Sequence, residues 1–231
     1  MLVRGGRHHT ASRRKREQSC NGFVCCVCTV ITATGIFCAN RWTDCVQVDA
    51  PSIAEGDFGW WHGNFSSYRE GFRGWGRTRD WLARVFAEEP RFDGVFGFSQ
   101  GAALVGLLPG LRAPDGRPTA TTPLSFDFAI AVGGFRSRAA EHEPLFAARA
   151  GYELPSLHIM GTSDRIVPAA DSRVLAEQFT SPVILEHGGG HVIPGIPSIR
   201  AKVVEFLQGR PRVPRPLRPA DRARDADHGS W

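Results

Sequence analysis

Cysteine is absent from the sequence after residue 45, and all six cysteines lie before that point: Cys20, Cys25, Cys26, Cys28, Cys38 and Cys45. A secreted disulfide scaffold would spread its bridges through the fold, so this distribution is typical of a protein from a reducing compartment. The cysteines also lack the two paired ligand sets, C-x-x-C with a second C-x-x-C or with H-x-x-x-H, that zinc sites use. We therefore expect apolar packing rather than metal binding, and a cytoplasmic location, with a nuclear one left open.

Excess positive charge is missing from the central part of the chain, although the whole chain carries a net charge of +5. Residues 46–208 contain 15 Lys and Arg against 18 Asp and Glu, whereas both ends are basic. A nucleic-acid-binding domain needs a basic face on its folded part. The charge distribution thus argues against a nucleic-acid partner.

Long hydrophobic runs are scarce, and one of them, residues 23–39, has seventeen residues without a charge and follows a basic stretch. This order resembles a signal peptide or signal anchor, but the run contains threonines and a glycine, and its length is the minimum for crossing a bilayer. Three interpretations stay open: a membrane anchor through residues 23–39, a buried strand, and a poorly ordered N-terminus.

Beyond residue 45 the sequence alternates between short apolar runs and amphipathic stretches. A chain of 231 residues is long enough for one α/β domain. Alternating strands and helices predict parallel strands with helices on both faces of the sheet. We predict three parts: an atypical basic, Cys-rich head (1–45), an α/β domain (46–208), and a disordered Pro- and Arg-rich tail (209–231).

The segment FDGVFGFSQGAALVGLL, residues 92–108, places a serine at a sharp bend between a strand and a helix. Gly97 and Gly101 flank Ser99 and remove the Cβ atoms that would clash where strand and helix approach. G-x-S-x-G alone is a weak motif, but here an apolar strand precedes it and an apolar helix follows. The pattern predicts a nucleophile elbow at Ser99.

Two further polar residues follow predicted strands, Asp164 after LHIMGTS and His191 after VILEHGGG. Active sites of open parallel sheets lie beyond the carboxyl ends of the strands. The chain order Ser, Asp, His is that of an α/β-hydrolase triad, in which His191 is the general base and Asp164 orients it. His187 and Asp171 compete for these roles, but His187 lies within the strand and Asp171 within a predicted helix.

The substrate cleft is predicted from aromatic residues in the loop that follows VQVDAP. Trp60 and Trp61 are candidates for lining an apolar cleft, and the alternative is that they hold the loop onto the core. Residues 136–155 stand where a hydrolase of this type would insert a cap, and their alternative is a surface connection.

Three blocks, FDGVFGFSQGAAL, LPSLHIMGTSDRIVP and GGGHVIP, resemble the motifs of the FSH family of serine hydrolases, and VDAP, the paired Trp60 and Trp61, and VGGFRSR agree with it. The likeness extends from about Val46 to Leu207. It implies an α/β-hydrolase fold, with a mostly parallel sheet and helices on both faces. It also implies esterase or thioesterase activity on acyl substrates without a metal or cofactor.

The sequence departs from this family at its start, because it has no Leu-His-Gly-aromatic turn before VQVDAP, so the first strand and helix are atypical or missing. That turn would supply one oxyanion-hole N–H, while the other comes from the residue after the nucleophile, Gln100. Gly35 and Ile36 are the only candidates for the second donor, which stays unassigned. An alternative function follows, a binding protein on this fold that lacks a complete oxyanion hole.

Overall fold

The structure is a computed structural model that describes residues 27–31, 45–50, 52–54, 57–58, 60–61, 73–88, 92–112, 123–146 and 151–210. Most of the predicted head, the candidate donors Gly35 and Ile36, and residues 211–231 of the predicted tail lie outside these ranges. None of the helices within them is long and apolar enough to cross a membrane.

A six-stranded sheet forms the centre of the molecule, in the order β2-β1-β5-β6-β7-β8. Its strands are β1 (Val27–Ile31), β2 (Cys45–Asp49), β5 (Gly94–Phe98), β6 (Phe128–Val132), β7 (Ser156–Gly161) and β8 (Pro182–His187). Pairs β5–β6, β6–β7 and β7–β8 are parallel, which confirms the predicted, mostly parallel sheet. A second, two-stranded sheet joins β3 (Ser52–Ala54) and β4 (Asp57–Phe58), in a stretch where the sequence predicts a loop.

Four α-helices accompany the sheet in the described part of the chain, among them the predicted helix after Ser99. They are α1 (Trp75–Glu88), α2 (Gln100–Leu107), α3 (Ala169–Ala176) and α4 (Pro197–Gln208), and two 3₁₀ helices span Leu108–Leu111 and Ala140–Phe146. Asp171 lies within α3, as predicted. The 3₁₀ helix Ala140–Phe146 lies within the predicted cap segment and buries His142 and Phe146.

Alternation along the strands divides the core between the two faces of the sheet. Val95, Ala129 and Ala131 belong to a cluster with side chains of α1, α2 and α3, and Phe96, Phe128 and Ile130 belong to a second cluster with α4. Successive strand residues point to opposite faces, so β5 and β6 each contribute to both clusters. Helices α1, α2 and α3 therefore pack on one face of the sheet and α4 on the other, which confirms the predicted helices on both faces.

β1 differs from the predicted parallel arrangement because it runs antiparallel to both of its neighbours, β2 and β5. Cys28 pairs with Gly97 and Ile31 pairs with Gly94, so β1 ends beside the amino end of β5. β2 therefore runs parallel to β5, and Asp49 at its end pairs with Val27. Adjacent antiparallel strands need no helical crossover between them.

Candidate active site

Ser99 stands at the sharp turn between β5 and α2. It is the one non-glycine residue with positive φ in the described part of the chain, at φ 57° and ψ −122°. Its N–H donates to the Val132 carbonyl at 2.9 Å, which fixes the turn to the end of β6. Such backbone strain costs on the order of 1–3 kcal/mol and persists only where the surroundings impose it.

Gly97 makes this turn sterically feasible. A Cβ atom at Gly97 would lie 2.2 Å from the Gly101 carbonyl oxygen and 2.6 Å from the Ala102 nitrogen. Both contacts are with backbone, which cannot rotate away as a side chain could. The close approach of α2 to β5 therefore explains why glycine is required at position 97.

A chain of hydrogen bonds joins Ser99, His191 and Asp164, although Ser99 and His191 are 92 residues apart. His191 Nε2 lies 2.9 Å from Ser99 Oγ, and His191 Nδ1 lies 2.7 Å from Asp164 Oδ2. The Phe98 ring lies against the imidazole, with 4.7 Å between ring centroids. The Asp164 side chain is 1% exposed and that of His191 11%, so the pair is shielded while the imidazole retains an accessible edge.

Asp164 is held in place by its other carboxylate oxygen. Oδ1 accepts hydrogen bonds from the backbone N–H groups of Ile166, at 2.8 Å, and Val167, at 2.9 Å. This local arrangement, in which an Asp side chain bonds the backbone two and three residues on, turns Oδ2 toward His191. The two oxygens thus have separate partners.

The two competing residues lie elsewhere. The Asp171 side chain is 43% exposed and stands 3.8 Å from Arg138. His187 is buried at the end of β8, where its Nδ1 accepts from the Gly189 N–H at 3.1 Å. Neither contacts Ser99 in the hydrogen bonds that the structure describes, so the geometry favours Asp164 and His191.

Gln100, which begins α2, has two distinct sets of polar groups. Its backbone N–H is at the first helical position, where N–H groups have no acceptor within the helix. Its side-chain Oε1 accepts from the Trp60 N–H at 3.2 Å, and its Nε2 donates to the Trp61 carbonyl at 2.9 Å. The amide thereby clamps the Trp60–Trp61 segment against the elbow, a role that the sequence analysis missed because no local pattern signals it.

Trp60 and Trp61 are buried, at 0% and 3% exposed. Trp61 packs edge-on against Trp75 of α1 and against His142, with ring centroids 6.1 Å and 5.0 Å apart. Of the two interpretations left open by the sequence, this burial supports the one in which the tryptophans hold their loop onto the core. Neither ring presents an open surface to a cleft.

His142 fastens the predicted cap segment to the same cluster. Its Nδ1 lies 2.7 Å from Ser137 Oγ, and its ring packs against Trp75 at 4.4 Å. Burial lowers the pKa of His142 to about 4, because the charged form would lose its hydration. His142 is therefore neutral at physiological pH, and it was not among the residues singled out from the sequence.

Exposed apolar side chains surround the loops that carry Asp164 and His191. Ile166 is 71% exposed, Val192 51%, Ile193 47% and Ile196 42%. Ile166 follows Asp164 by two residues and Val192 follows His191 directly. We call these four residues the apolar rim.

The second oxyanion donor is not assigned by the described residues. Gly35 and Ile36 lie outside them, and the strand before them ends at Ile31, beside Gly94 at the far end of β5 from Ser99. The backbone N–H of Trp60 already donates a hydrogen bond to the side-chain Oε1 of Gln100. Gln100 is thus the only donor of the predicted pair whose position is described.

Comparison with known proteins agrees with this architecture. The model of the family described as Serine hydrolase (FSH1) matches residues 11–203. Esterase OVCA2 of Xenopus tropicalis is 37% identical over 166 residues, 69% of this chain and 69% of that protein. Esterase OVCA2 of Danio rerio is 40% identical over 117 residues, which are 51% of this chain and 49% of that protein.

Among solved structures, acyl-protein thioesterase 2 of Zea mays is similar at 19% identity, with a TM-score of 0.48, over 65% of this chain and 71% of that chain. The family model extends over most of the sequence and includes Ser99, Asp164 and His191. The frog relative matches more than two thirds of the chain. The chain therefore belongs to the FSH1 family of serine hydrolases and has the α/β-hydrolase fold that its motifs predicted.

Proposed function

We propose that this protein hydrolyses carboxylic esters or thioesters of acyl substrates through a covalent acyl-enzyme on Ser99. The observation that carries the proposal is the hydrogen-bonded chain from Ser99 Oγ through the His191 imidazole to Asp164. The similar frog and zebrafish proteins are named esterases, which supports the same chemistry here.

His191 acts as the base and then as the acid in this mechanism. Nε2 takes the Ser99 proton as Oγ attacks the substrate carbonyl, and the resulting imidazolium is stabilised by Asp164 through Nδ1–H. Nε2–H then protonates the alcohol or thiol leaving group as the bond to the carbonyl carbon breaks. Water attacks the acyl-enzyme in a second cycle, which releases the carboxylic acid and restores the Ser99 hydroxyl.

The Gln100 backbone N–H stabilises the oxyanion that forms in both steps. It lies at the positive end of α2, next to the nucleophile, where negative charge develops on the carbonyl oxygen. The Gln100 side-chain bonds to Trp60 and Trp61 keep this end of the helix packed against the neighbouring loop.

The apolar rim favours substrates with an apolar group near the reacting bond. Ile166 follows Asp164 by two residues and Val192 follows His191 directly, both side chains are exposed, and His191 must approach the leaving group to protonate it. Each methylene that the rim buries contributes about 0.8 kcal/mol, so four carbons raise kcat/KM by on the order of 10². Ester series that lengthen the acyl chain and the alcohol separately will show which part of the substrate the rim contacts.

Labelling with a fluorophosphonate tests the covalent step. The probe should attach once, to Ser99, and Ser99→Ala should abolish the label. Ser137→Ala is a matched control, because Ser137 is also buried beside a histidine, with its Oγ 2.7 Å from His142 Nδ1. An adduct mapped to Ser137, or labelling that survives in Ser99→Ala, would refute the assignment of the nucleophile.

A further inference from the structure

His187 is a buried histidine with no part in the proton transfers proposed above. It ends β8 and is 6% exposed, and its Nε2 is buried without a hydrogen-bond partner in the structure. Its Nδ1 accepts from the Gly189 N–H at 3.1 Å. Because Nδ1 accepts, the ring is the neutral tautomer with its proton on Nε2.

The segment between His187 and His191 consists of three glycines, so it has no side chains of its own to hold it. Glycine loses more conformational freedom on ordering than any other residue, and such a loop needs external contacts. Two of these lead to the segment before Asp164: the His187 carbonyl accepts from the Thr162 N–H at 2.8 Å, and the Gly189 carbonyl accepts from the Ser163 N–H at 3.2 Å.

The two segments also approach each other closely. A Cβ atom at Gly161 would lie 2.4 Å from the Gly189 carbonyl oxygen and 2.5 Å from that of Gly190. With its carbonyl bonded to Ser163 and its N–H bonded to His187, Gly189 has both backbone groups engaged. Of these two contacts, only the one to His187 depends on a side chain.

We propose that His187 is a positioning residue for His191. Its imidazole fixes the Gly189 peptide and so holds the glycine segment where His191 Nε2 is 2.9 Å from Ser99 Oγ and Nδ1 is 2.7 Å from Asp164 Oδ2. The catalytic consequence rests on the function proposed above, whereas the ordering of the segment does not. A displacement of about 1 Å at a reacting group can cost on the order of 10² in rate.

Two substitutions separate this role from simple packing. Asparagine places its Oδ1 close to the position of Nδ1 and can accept the Gly189 N–H, whereas leucine fills the space without an acceptor. We expect His187→Leu to lower kcat by about 10²-fold at nearly constant KM, and His187→Asn to restore most of it. His158→Leu is the matched control, since His158 is a buried histidine of β7, 2% exposed, whose ring bonds Ser156 instead.

Hydrogen exchange of the 188–191 segment is measured in the same variants and needs no substrate. Exchange should quicken in His187→Leu and remain slow in His187→Asn and His158→Leu. If the wild type hydrolyses no ester but this exchange pattern holds, the proposed function fails while the positioning role stands. A His187→Leu variant with wild-type kcat and exchange, or equal losses of kcat in the leucine and asparagine variants, would overturn the proposal.

Discussion

Replacing Asp164 by asparagine should remove catalysis while leaving the site's geometry in place, because the two carboxylate oxygens have different partners. Oδ1 accepts from the Ile166 and Val167 N–H groups at 2.8 and 2.9 Å. An amide NH2 turned toward these two donors would repel them, so the asparagine carbonyl takes that position. The amide nitrogen then faces His191 Nδ1, at the site where Oδ2 now lies 2.7 Å away.

This orientation reverses the tautomer of His191. Nδ1 must accept from the amide, so the proton moves to Nε2, which then donates to Ser99 Oγ and cannot take its proton. The expected loss is about 10⁴ in kcat, equivalent to about 5 kcal/mol of transition-state stabilisation. Asp164→Ala should differ by also removing the acceptor of the Ile166 and Val167 N–H groups, of which the buried one, that of Val167, should cost about 1–3 kcal/mol of stability when unpaired.

The assay is hydrolysis of p-nitrophenyl butyrate at saturation, with thermal unfolding of each variant measured alongside. Asp171→Asn is the control, since that side chain is 43% exposed and lies outside the hydrogen-bonded chain. It should retain nearly full activity. An Asp164→Asn variant that keeps more than about a tenth of the wild-type kcat would refute the tautomer argument.

Three further changes test the packing around the site. Gly97→Ala should destabilise the fold by about 3 kcal/mol and lower kcat, because the new Cβ would lie 2.2 Å from the Gly101 carbonyl oxygen. Gly76→Ala in α1, with open space around it, should instead stabilise the fold by about 1 kcal/mol. Chemical denaturation measures both free energies of unfolding, and equal effects would contradict the steric argument. Trp61→Ala should lower the free energy of unfolding by about 3–5 kcal/mol, since Trp61 is 3% exposed. A variant of unchanged stability but altered substrate chain-length preference would instead support the cleft interpretation. Burial lowers the pKa of His158 to about 4, so the unfolded chain takes up a proton first as the pH falls below about 6.5, and this residue alone should cost on the order of 3 kcal/mol of stability between pH 6.5 and 4, in addition to the like contribution of His142. His158→Leu should remove the His158 part of this decrease, and a pH dependence of stability equal to that of the wild type would argue against the assignment.

Local patterns in the sequence determined the elements around the site. The apolar strand predicted before Ser99 is β5 (Gly94–Phe98), because an apolar run bounded by a glycine turn has few other structures available. The same holds for the apolar helix predicted after Ser99, which the structure has as α2 (Gln100–Leu107). Family membership was also readable, since the three motif blocks lie within residues 11–203.

The choice between His191 and His187 depended on tertiary structure. Both follow or end the same strand, and the sequence could only rank them. Distances decide between them, because Ser99 and His191 meet through a contact 92 residues apart in the chain. Long-range contacts of this kind are set by how strands are ordered in the sheet, which no local periodicity encodes.

Strand direction and burial of aromatics likewise came only from the fold. An apolar segment such as Val27–Ile31 reads the same whether it pairs parallel or antiparallel, and the structure pairs it antiparallel with β5. The identity of Trp60 and Trp61 is the same in a cleft as in a core. In the structure the Gln100 amide bonds the backbones of both residues, and the Trp75 and His142 rings pack against Trp61. The sequence by itself determined which residue types could perform the chemistry, and packing between distant segments decided which of them meet.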